Sequence, residues 1–327
     1  MWIHHNDIPL FFGFLILTIK TMSRAVEQHS YPARHVRSPL LRAVYDKMIV
    51  DERQKNDLHE YWYNVDMSKF SADLCDKFIQ FYQDEGSTQF LSLCREKSDW
   101  IFTQMGHAVC KSILSWFVSA TTINGLLKRG SMFVFSDEQL KLMLGVQAGW
   151  RCGRLMDLGA GDGKITEMMA KYCDTVDVTE MSPTMLWRLK EKSFRVVPVE
   201  AWDNGDVIYD LIGCLNLLDR CDQPMKILNS IRKVLRPGTG RAIVAVVLPF
   251  EPYVEYNSTD HIPTENLLIK GRTFEEQASS FITDVFEPSG FIVEKFTRLP
   301  YLCEGDLHQS FYVLNDAVFV LKLKDNG

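Results

Sequence analysis

The chain has 327 residues, of which 46% are hydrophobic and 24% charged, and its 36 basic and 42 acidic side chains give a formal net charge of −6. This length and apolar content suit one folded domain with an extension and exclude a disordered chain. The negative net charge argues against sequence-independent electrostatic binding of nucleic acid, so we expect no nucleic-acid partner.

The N-terminus carries an apolar segment, "IPLFFGFLILTI", at residues 8–19. Twelve residues are few for a membrane-spanning helix, so residues 1–22 are predicted to be a signal peptide or a short signal anchor, with possible membrane association through residues 8–19. A buried amphipathic helix is the alternative. Lys and Arg residues follow the segment and none precedes it, which favours a cytosolic C-terminal flank if the segment is retained.

Residues 23–67 are predicted to form a linker, and residues 68–150 are predicted to form a helical extension. In "SADLCDKFIQFYQDEG", residues 71–86, apolar side chains recur near the helical period, and Gly86 is predicted to close the helix. Residues 100–119 are a second, strongly apolar helix candidate. Ser136, with Gln139 three residues later, has capping-box spacing for a further helix.

The pattern from residue 151 to 327 alternates between strand-like and helix-like segments, which predicts an α/β, Rossmann-like domain with a mostly parallel, doubly wound sheet. The run "RAIVAVVLPF" at 241–250 is wholly apolar, as expected for a strand buried on both faces. Two strand-like runs, 291–302 and 311–323, leave no room for a helix between them. They are predicted to form an antiparallel C-terminal edge pair.

Eight cysteines are present, but none forms a C-x-x-C pair and no cysteine–histidine spacing resembles a zinc site. We therefore expect no metal. Several cysteines lie in apolar, strand-like runs, so buried free thiols are predicted, which favours a reducing compartment. A disulfide or a reactive thiol is the alternative.

The segment "LMDLGAGDGKIT", residues 155–166, predicts a strand, a glycine turn and a helix. Gly159 and Gly161 let the backbone approach a ligand closely. Their G-x-G-x-G spacing differs from the G-x-G-x-x-G of dinucleotide sites, and Asp157 suits a cationic group better than a phosphate. The ammonium of S-adenosylmethionine is such a group. Glu180, at the end of the next strand, is predicted to accept the ribose hydroxyls.

Three further interpretations concern this region. "VEAWD", residues 199–203, would flank adenine. A nicotinamide cofactor and a tight turn without a ligand are the alternatives to S-adenosylmethionine.

The segment "CLNLLDRCDQP", residues 214–224, follows the next buried strand, where an open α/β sheet places its second ligand. Asn216 and Asp219 are the candidate acceptor-site residues, although Asp219 and Asp222 could instead be helix caps. The Asn/Asp-Pro-Pro-aromatic motif of many DNA and amide methyltransferases is absent, which makes those acceptors less suitable.

Several motifs together resemble the DREV family, which is known for protein-L-histidine N-pros-methylation. The motifs are "LMDLGAGDG", "NGLLKRGSMFVFS", "CLNLLDRCDQP", "VLPFEPYVE", "FTRLPYLCEGD" and "YVLNDAVFVLK". The resemblance covers about residues 38–322. It implies a seven-stranded class I methyltransferase fold, S-adenosylmethionine as cofactor, and protein substrates in which histidine is methylated within His-x-His segments with a small x.

The resemblance also implies roles for individual residues. Glu180, Asn216 and Tyr301 would contact the cofactor. The peptide-histidine site would be lined by Asn216, Asp219 and Tyr312. The chemistry of imidazole makes Asp219 the candidate carboxylate that fixes the tautomer and stabilises the cationic product, and binding of the second histidine of the motif is the alternative role of Asp219. Phe311 stands where a second tyrosine is expected.

The apolar N-terminal segment and the resemblance together predict association with the endoplasmic reticulum, with the mitochondrion as the alternative. The sequon "NST" at 257–259 can be glycosylated only in the lumen, against the charge-based cytosolic expectation. A small-molecule methyltransferase on the same fold and a non-catalytic protein that retains the cofactor are the other functional interpretations.

Overall fold

The computed structural model describes residues 39–55, 59–99, 131–254, 260–306 and 308–324. The helices within these ranges are α1 (Pro39–Lys55), α2 (Ala72–Lys77), α3 (Glu85–Asp99), α4 (Asp137–Leu144), α5 (Lys164–Ala170), α6 (Pro183–Glu191), α7 (Pro224–Val234) and α8 (Phe274–Ser280). Short 3₁₀ turns lie at His59–Trp62 and Met67–Lys69, and a π-helical turn at Phe281–Phe286 continues α8.

The strands form one mixed sheet. They are β1 (Met132–Phe133), β2 (Cys152–Leu158), β3 (Cys173–Thr179), β4 (Arg195–Val196), β5 (Leu211–Leu215), β6 (Arg241–Val247), β7 (Phe291–Glu304) and β8 (Phe311–Leu323). Their order across the sheet is β1-β7-β8-β6-β5-β2-β3-β4. The strands β2 to β6 run parallel, and β8 pairs antiparallel with both β6 and β7.

The predicted fold class is confirmed, with one addition. Seven strands, in the order β4-β3-β2-β5-β6-β8-β7, form the mostly parallel sheet with its antiparallel β7–β8 pair. The eighth, β1, is a two-residue strand that pairs antiparallel with β7, Met132 opposite Cys303. It comes from the predicted helical extension and places the approach to α4 against the edge of the sheet.

The sheet is covered on both faces, as its apolar strands require. Successive residues of β6 point to opposite sides: Val244 lies in the core beneath α7 and α8, whereas Ile243 and Ala245 lie in the core formed with α4 and α5. All three are at most 1% exposed. Burial of a valine or isoleucine side chain contributes roughly 1.5–3 kcal/mol, so the run explains why β6 occupies the middle of the sheet.

The helical extension differs in detail from its prediction. The helix α2 is only six residues long, because at Phe78 the chain becomes extended and bridges to Phe296 of β7. Gly86 therefore does not end a helix but lies in the first turn of α3. The capping box of Ser136 and Gln139 at α4 is confirmed. Part of the predicted linker is helical, since α1 occupies residues 39–55; the candidate helix at 100–119 lies outside the described residues.

One cysteine pair contradicts the prediction of free thiols. Cys152 and Cys173 are the first residues of the adjacent strands β2 and β3, opposite one another in the parallel register, and they form a disulfide. Their 21-residue separation has no recognisable motif, because the register of the sheet rather than local sequence brings them together. Cys75, Cys94, Cys214, Cys221 and Cys303 are free, as predicted.

Among the described helices none is long and apolar enough to cross a membrane. The apolar segment at 8–19 and the sequon at 257–259 both lie outside the described residues.

Candidate active site

The candidate residues converge on one edge of the sheet. In parallel strands the carboxyl ends meet at the same edge, and there β2 ends before the glycine turn, β3 before Glu180 and β5 before Asn216. The antiparallel strand β8 brings Asp316 to the same edge, because Asp316 is paired with Val247, the last residue of β6.

The glycine turn after β2 has the backbone conformation that its sequence predicts. Gly159, Gly161 and Gly163 have φ values of 67°, 54° and 75°, which other residues adopt at a cost. A Cβ at Gly159 would meet the side chain of Leu217 at 3.3 Å, whereas a Cβ at Gly161 would find no atom within 4 Å. The turn is therefore open on the side of Gly161, where a ligand could contact the backbone.

Glu180 holds this turn to the end of β3. Its Oε2 accepts a hydrogen bond from the backbone N–H of Gly161 at 2.9 Å, and its Oε1 accepts from the N–H groups of Met181 and Ser182, each at 2.8 Å. A carboxylate has about four acceptor positions, so one remains on Oε2 for a ligand hydroxyl. The carboxylate of Glu180, predicted to accept the ribose hydroxyls, is thus already oriented by three backbone amides.

Asp157 lies in β2, just before the glycine turn. It is only 3% exposed, its Oδ2 accepts from the Thr166 hydroxyl at 2.5 Å, and its Oδ1 lies 2.7 Å from where a Cβ on Gly213 would be. Burial raises the pKa of Asp157 to about 7; Thr166 opposes this and the charge of Glu180 adds to it. The structure therefore places this predicted ammonium ligand between β5 and α5, with its carboxylate turned to Thr166.

Asn216 occupies a strained position at the end of β5. Its φ is 52°, and its backbone N–H donates to Ala245 O at 2.9 Å, which keeps it in line with β6. Its side-chain Nδ2 donates to Asp316 Oδ2 at 2.9 Å. Asp316 is fully buried, and desolvation raises the pKa of its carboxyl well above the usual range, with the charge of Asp219 acting in the same direction.

Asp219 is the second buried acid of this edge. It is 2% exposed, and its Oδ2 lies 3.2 Å from Arg220 Nε. Burial raises the pKa of Asp219 and the charge of Arg220 opposes the rise. The residue before α7 is Gln223, so Asp219 does not cap that helix. Its backbone oxygen instead accepts from the N–H of Tyr253 at 2.8 Å, which ties the loop after β6 to the site.

The neighbouring Asp222 has a different role. Its Oδ1 accepts from the N–H of Thr264 at 2.7 Å and its Oδ2 from the Thr264 hydroxyl at 2.9 Å. It thus joins two loops. Because it is less buried than Asp219 and has other partners, it serves as a control for Asp219.

The two tyrosines are separated along one face of the β7–β8 pair. Tyr301 is half-buried, its hydroxyl donates to Met132 Sδ of β1, and burial raises its pKa well above the usual range, with the charges of Asp316 and Asp219 contributing. Tyr312 is 37% exposed and donates to Asp306 Oδ1 at 3.0 Å. Asp316 follows Tyr312 by four positions along the strand, a rise of about 13 Å, so Tyr312 lies at the outer end of the site.

Sequence reasoning did not identify Asp316. The acid stands in "LNDAVFV", where it precedes an apolar strand run and so resembles an ordinary strand boundary. Its position at the site depends on the pairing of β8 with β6, which no local signal contains.

The kind of ligand that suits this group of residues follows from its buried polar atoms that have no hydrogen-bond partner among the described residues. Three buried oxygens, Asn216 Oδ1, Asp219 Oδ1 and Asp316 Oδ1, have no hydrogen-bond partner among the described residues. A buried acceptor without a donor costs about 1–3 kcal/mol, so the arrangement is complementary to a ligand that brings N–H groups or positive charge. No cluster of His, Cys, Asp and Glu in the described part of the chain could hold a metal ion.

The family model of DREV methyltransferases matches residues 62–323. The chain belongs to the DREV methyltransferase family. Membership in this family, together with the class I strand order, confirms the predicted fold class, the methyltransferase class and S-adenosylmethionine as cofactor.

Several solved structures are similar to this DREV chain at low identity. The N-methyltransferase NodS from Bradyrhizobium japonicum WM9, in complex with S-adenosyl-L-homocysteine, is 15% identical with a TM-score of 0.37, over 57% of this chain and 84% of that chain. A putative type 11 methyltransferase from Sulfolobus solfataricus is 19% identical with a TM-score of 0.37, over 58% and 94%. The YcgJ protein from Bacillus subtilis is 15% identical with a TM-score of 0.39, over 57% and 98%. Similarity at this level identifies no acceptor for the DREV chain.

The residues of the DREV site fit the cofactor. The open side of Gly161 allows close approach, Glu180 retains an acceptor position for a ribose hydroxyl, and Asn216 Oδ1 is free to accept from an ammonium. Two residues of the segment predicted to flank adenine have structural roles: Trp202 is buried in the core, and Asp203 accepts a hydrogen bond from the Ser230 hydroxyl.

Proposed function

We propose that this chain is an S-adenosylmethionine-dependent protein-histidine methyltransferase that modifies the N-pros nitrogen of histidine in His-x-His segments with a small x. The observation that carries the proposal is the set of three unpartnered, buried acceptor oxygens on Asn216, Asp219 and Asp316. An imidazole brings one N–H donor and becomes a cation when it is methylated, so it suits such a site. The DREV motifs support the choice of histidine.

Asp219 would select the reacting nitrogen. Only neutral imidazole has a free lone pair, and an ordinary pKa of about 6.5 leaves most of it neutral at pH 7. A carboxylate that accepts the N–H of one ring nitrogen leaves the lone pair on the other. Asp219, oriented by Arg220, would accept that N–H and then stabilise the positive charge of the product.

The remaining residues would position the reactants. The bound cofactor supplies a methyl group on a sulfonium. Glu180 and the Gly161 turn would hold it, and Asn216 would lie between the cofactor and the acceptor, where it would keep the nucleophile in line and close to the transferred carbon.

A strip of exposed side chains supports a peptide as the acceptor. Tyr312 and Leu314 are 37% and 41% exposed and lie on the same face of β8 as Asp316. Alternate residues of a strand share a face, so the strip leads from solvent to the buried acid. Tyr301, opposite Leu314 on β7, would limit the room between two bound imidazoles and so favour a small x.

The test is methylation of a peptide library with labelled cofactor and mass-spectrometric location of the methyl group. A His-Ala-His peptide should be labelled at the N-pros position, and replacement of either histidine by alanine should lower the rate. The rate should fall below a pH of about 6.5 as imidazole becomes protonated. Equal reaction of an isolated histidine, or labelling of lysine or arginine, would refute the proposed acceptor, and labelling of small heterocycles alone would favour a small-molecule methyltransferase.

The second part of the proposal concerns location. We infer that the protein is associated with the endoplasmic reticulum, with the mitochondrion as the alternative. The Cys152–Cys173 disulfide supports an oxidising compartment and so the lumenal side, against the charge-based expectation of a cytosolic domain. Glycosidase treatment of the protein from cells tests this: a mobility shift that is lost in Asn257→Gln supports the lumen, and no shift supports the cytosol.

A further inference from the structure

Asp316 is an acid in a position where the fold itself needs an apolar residue. It lies on β8 between two paired strands, opposite Val247 of β6 and Leu299 of β7, and is fully buried. A buried carboxyl is costly unless it is hydrogen-bonded, and no ion pair among the described residues includes it. Its one side-chain hydrogen bond within the described residues comes from Asn216 Nδ2 at 2.9 Å.

This hydrogen bond fixes which end of the Asn216 amide faces a ligand. An amide has a donor end and an acceptor end, and rotation of the amide by 180° exchanges them. With Nδ2 directed to Asp316, Oδ1 points to the other side, where it is buried and has no partner among the described residues. In the opposite orientation the Nδ2 donors would face the ligand side, and Asn216 Oδ1 would face Asp316 Oδ2, which can donate to it only when the carboxyl is protonated.

We infer that Asp316 is a positioning residue: by accepting a hydrogen bond from Asn216 Nδ2, it turns Asn216 Oδ1 toward the ligand side of the site, where Oδ1 can accept from the ammonium of the cofactor or from the N–H of the methyl acceptor. The inference rests on the proposed function for the identity of that acceptor. The inference also uses the three unpartnered oxygens of Asn216, Asp219 and Asp316, which point to a ligand that brings hydrogen-bond donors.

If Asp316 acts by orienting Asn216, the effect of a substitution at position 316 should depend on the presence of asparagine at position 216. Asp316→Leu introduces an apolar, strand-compatible side chain and removes the acceptor, so the amide can rotate. We expect turnover of a His-Ala-His peptide to fall about tenfold or more, with little loss of thermal stability, because one buried carboxyl is removed. Asp316→Asn can still accept from Asn216 Nδ2 and should recover part of the activity.

The test is a double-mutant cycle in the full chain. Asp316→Leu, Asn216→Ala and the double variant are compared by kcat and KM for the peptide and by calorimetric affinity for S-adenosylhomocysteine. If Asp316 acts through Asn216, Asp316→Leu should have little further effect once Asn216 is alanine. Additive effects, or an unchanged kcat in Asp316→Leu, would overturn the inference.

A matched control separates positioning from folding. Asp177 is another fully buried acid, on β3, where it bonds Arg195 and Tyr209. Asp177→Leu should lower the melting temperature but leave the kcat of the folded enzyme unchanged. A loss of activity in Asp316→Leu that only follows its folded fraction would assign Asp316 a structural role and reject the inference.

The two proposals fail in distinguishable ways. If wild-type protein does not methylate the peptide, the proposed acceptor is wrong, but the cycle can still be measured on S-adenosylhomocysteine affinity. If the peptide is methylated and the cycle is additive, the proposed function stands and the role of Asp316 is refuted.

Discussion

The backbone N–H of Gly161 donates to Glu180 Oε2 at 2.9 Å, so the turn after β2 and the acid after β3 are held together by the protein itself. Two further amides, at Met181 and Ser182, fix the other carboxylate oxygen. A ligand that binds across these two strand ends therefore meets groups that are already oriented, and less ordering is needed on binding.

Alanine at Gly161 tests whether the open side of the turn is the ligand side. Gly161 and Gly145 have similar φ values, 54° and 64°, and an added Cβ would find no atom within 4 Å at either position. Both Gly161→Ala and Gly145→Ala should lower the free energy of unfolding by roughly 1 kcal/mol because of the left-handed backbone. Only Gly161→Ala should weaken S-adenosylhomocysteine binding, by tenfold or more in calorimetry, and equal affinities in the two variants would contradict the placement.

Asp157 should make stability depend on pH. Burial raises its pKa from 3.8 to about 7, so between these values the folded protein keeps a proton that the unfolded chain has lost. The free energy of unfolding therefore falls as pH rises through this window, by the order of 4 kcal/mol at 1.36 kcal/mol per pKa unit. Asp157→Asn removes the effect. In urea titrations the variant should be more stable than wild type at pH 8, and the difference should shrink at pH 5.

The same variant tests whether Asp157 meets the cofactor. If its carboxylate contacts the ligand ammonium, affinity for S-adenosylhomocysteine should rise with pH between 6 and 8 in wild type, as the carboxylate ionises, and stay flat in Asp157→Asn. A flat profile in both proteins would limit Asp157 to supporting the turn through Thr166.

Asp219 should affect chemistry more than cofactor binding. Asp219→Asn keeps the shape but removes the charge that would stabilise a cationic product. A hydrogen bond to a charged group is worth about 1.5–3 kcal/mol, so kcat should fall roughly 10- to 100-fold while affinity for S-adenosylhomocysteine changes little. Asp222→Asn is the matched control, since Asp222 bonds Thr264 instead. Similar kcat values in the two variants would remove Asp219 from the reaction.

The Cys152–Cys173 disulfide should stabilise the domain without touching the site. It closes 21 residues of sequence at the ends of β2 and β3 remote from Asp157 and Glu180. Replacing both cysteines by alanine should cost roughly 3 kcal/mol, which corresponds to a fall in melting temperature of about 6–12 °C. Cofactor affinity should persist. Non-reducing peptide mapping checks the bond, and Cys75→Ser, a free thiol, is the control for the substitution.

The parts of the site that follow from sequence are those encoded locally. The glycine turn requires left-handed backbone at closely spaced positions, and Glu180 follows a strand of recognisable length, so both could be placed from residues 155–180. Asn216 and Asp219 could be placed for the same reason, directly after the buried strand β5.

The parts that did not follow depend on pairing between distant segments. Asp316 reaches the site through the register of β8 with β6, and the disulfide forms through the register of β2 with β3. Gly86 was misplaced because Phe78 leaves the helix to bridge β7, a contact 218 residues away in sequence. In each instance a tertiary contact decided the structure, and the local sequence pattern did not contain that contact.

Because the backbone of Asn216 is left-handed, stability and methyl transfer favour different residues at this position. Its φ of 52° costs an ordinary residue roughly 1 kcal/mol, and glycine would adopt the same backbone without that cost. Glycine would also remove the amide that Asp316 orients. Under selection for thermal tolerance alone, random variants of this enzyme should therefore accumulate glycine at position 216, whereas selection for methyl transfer should restore asparagine.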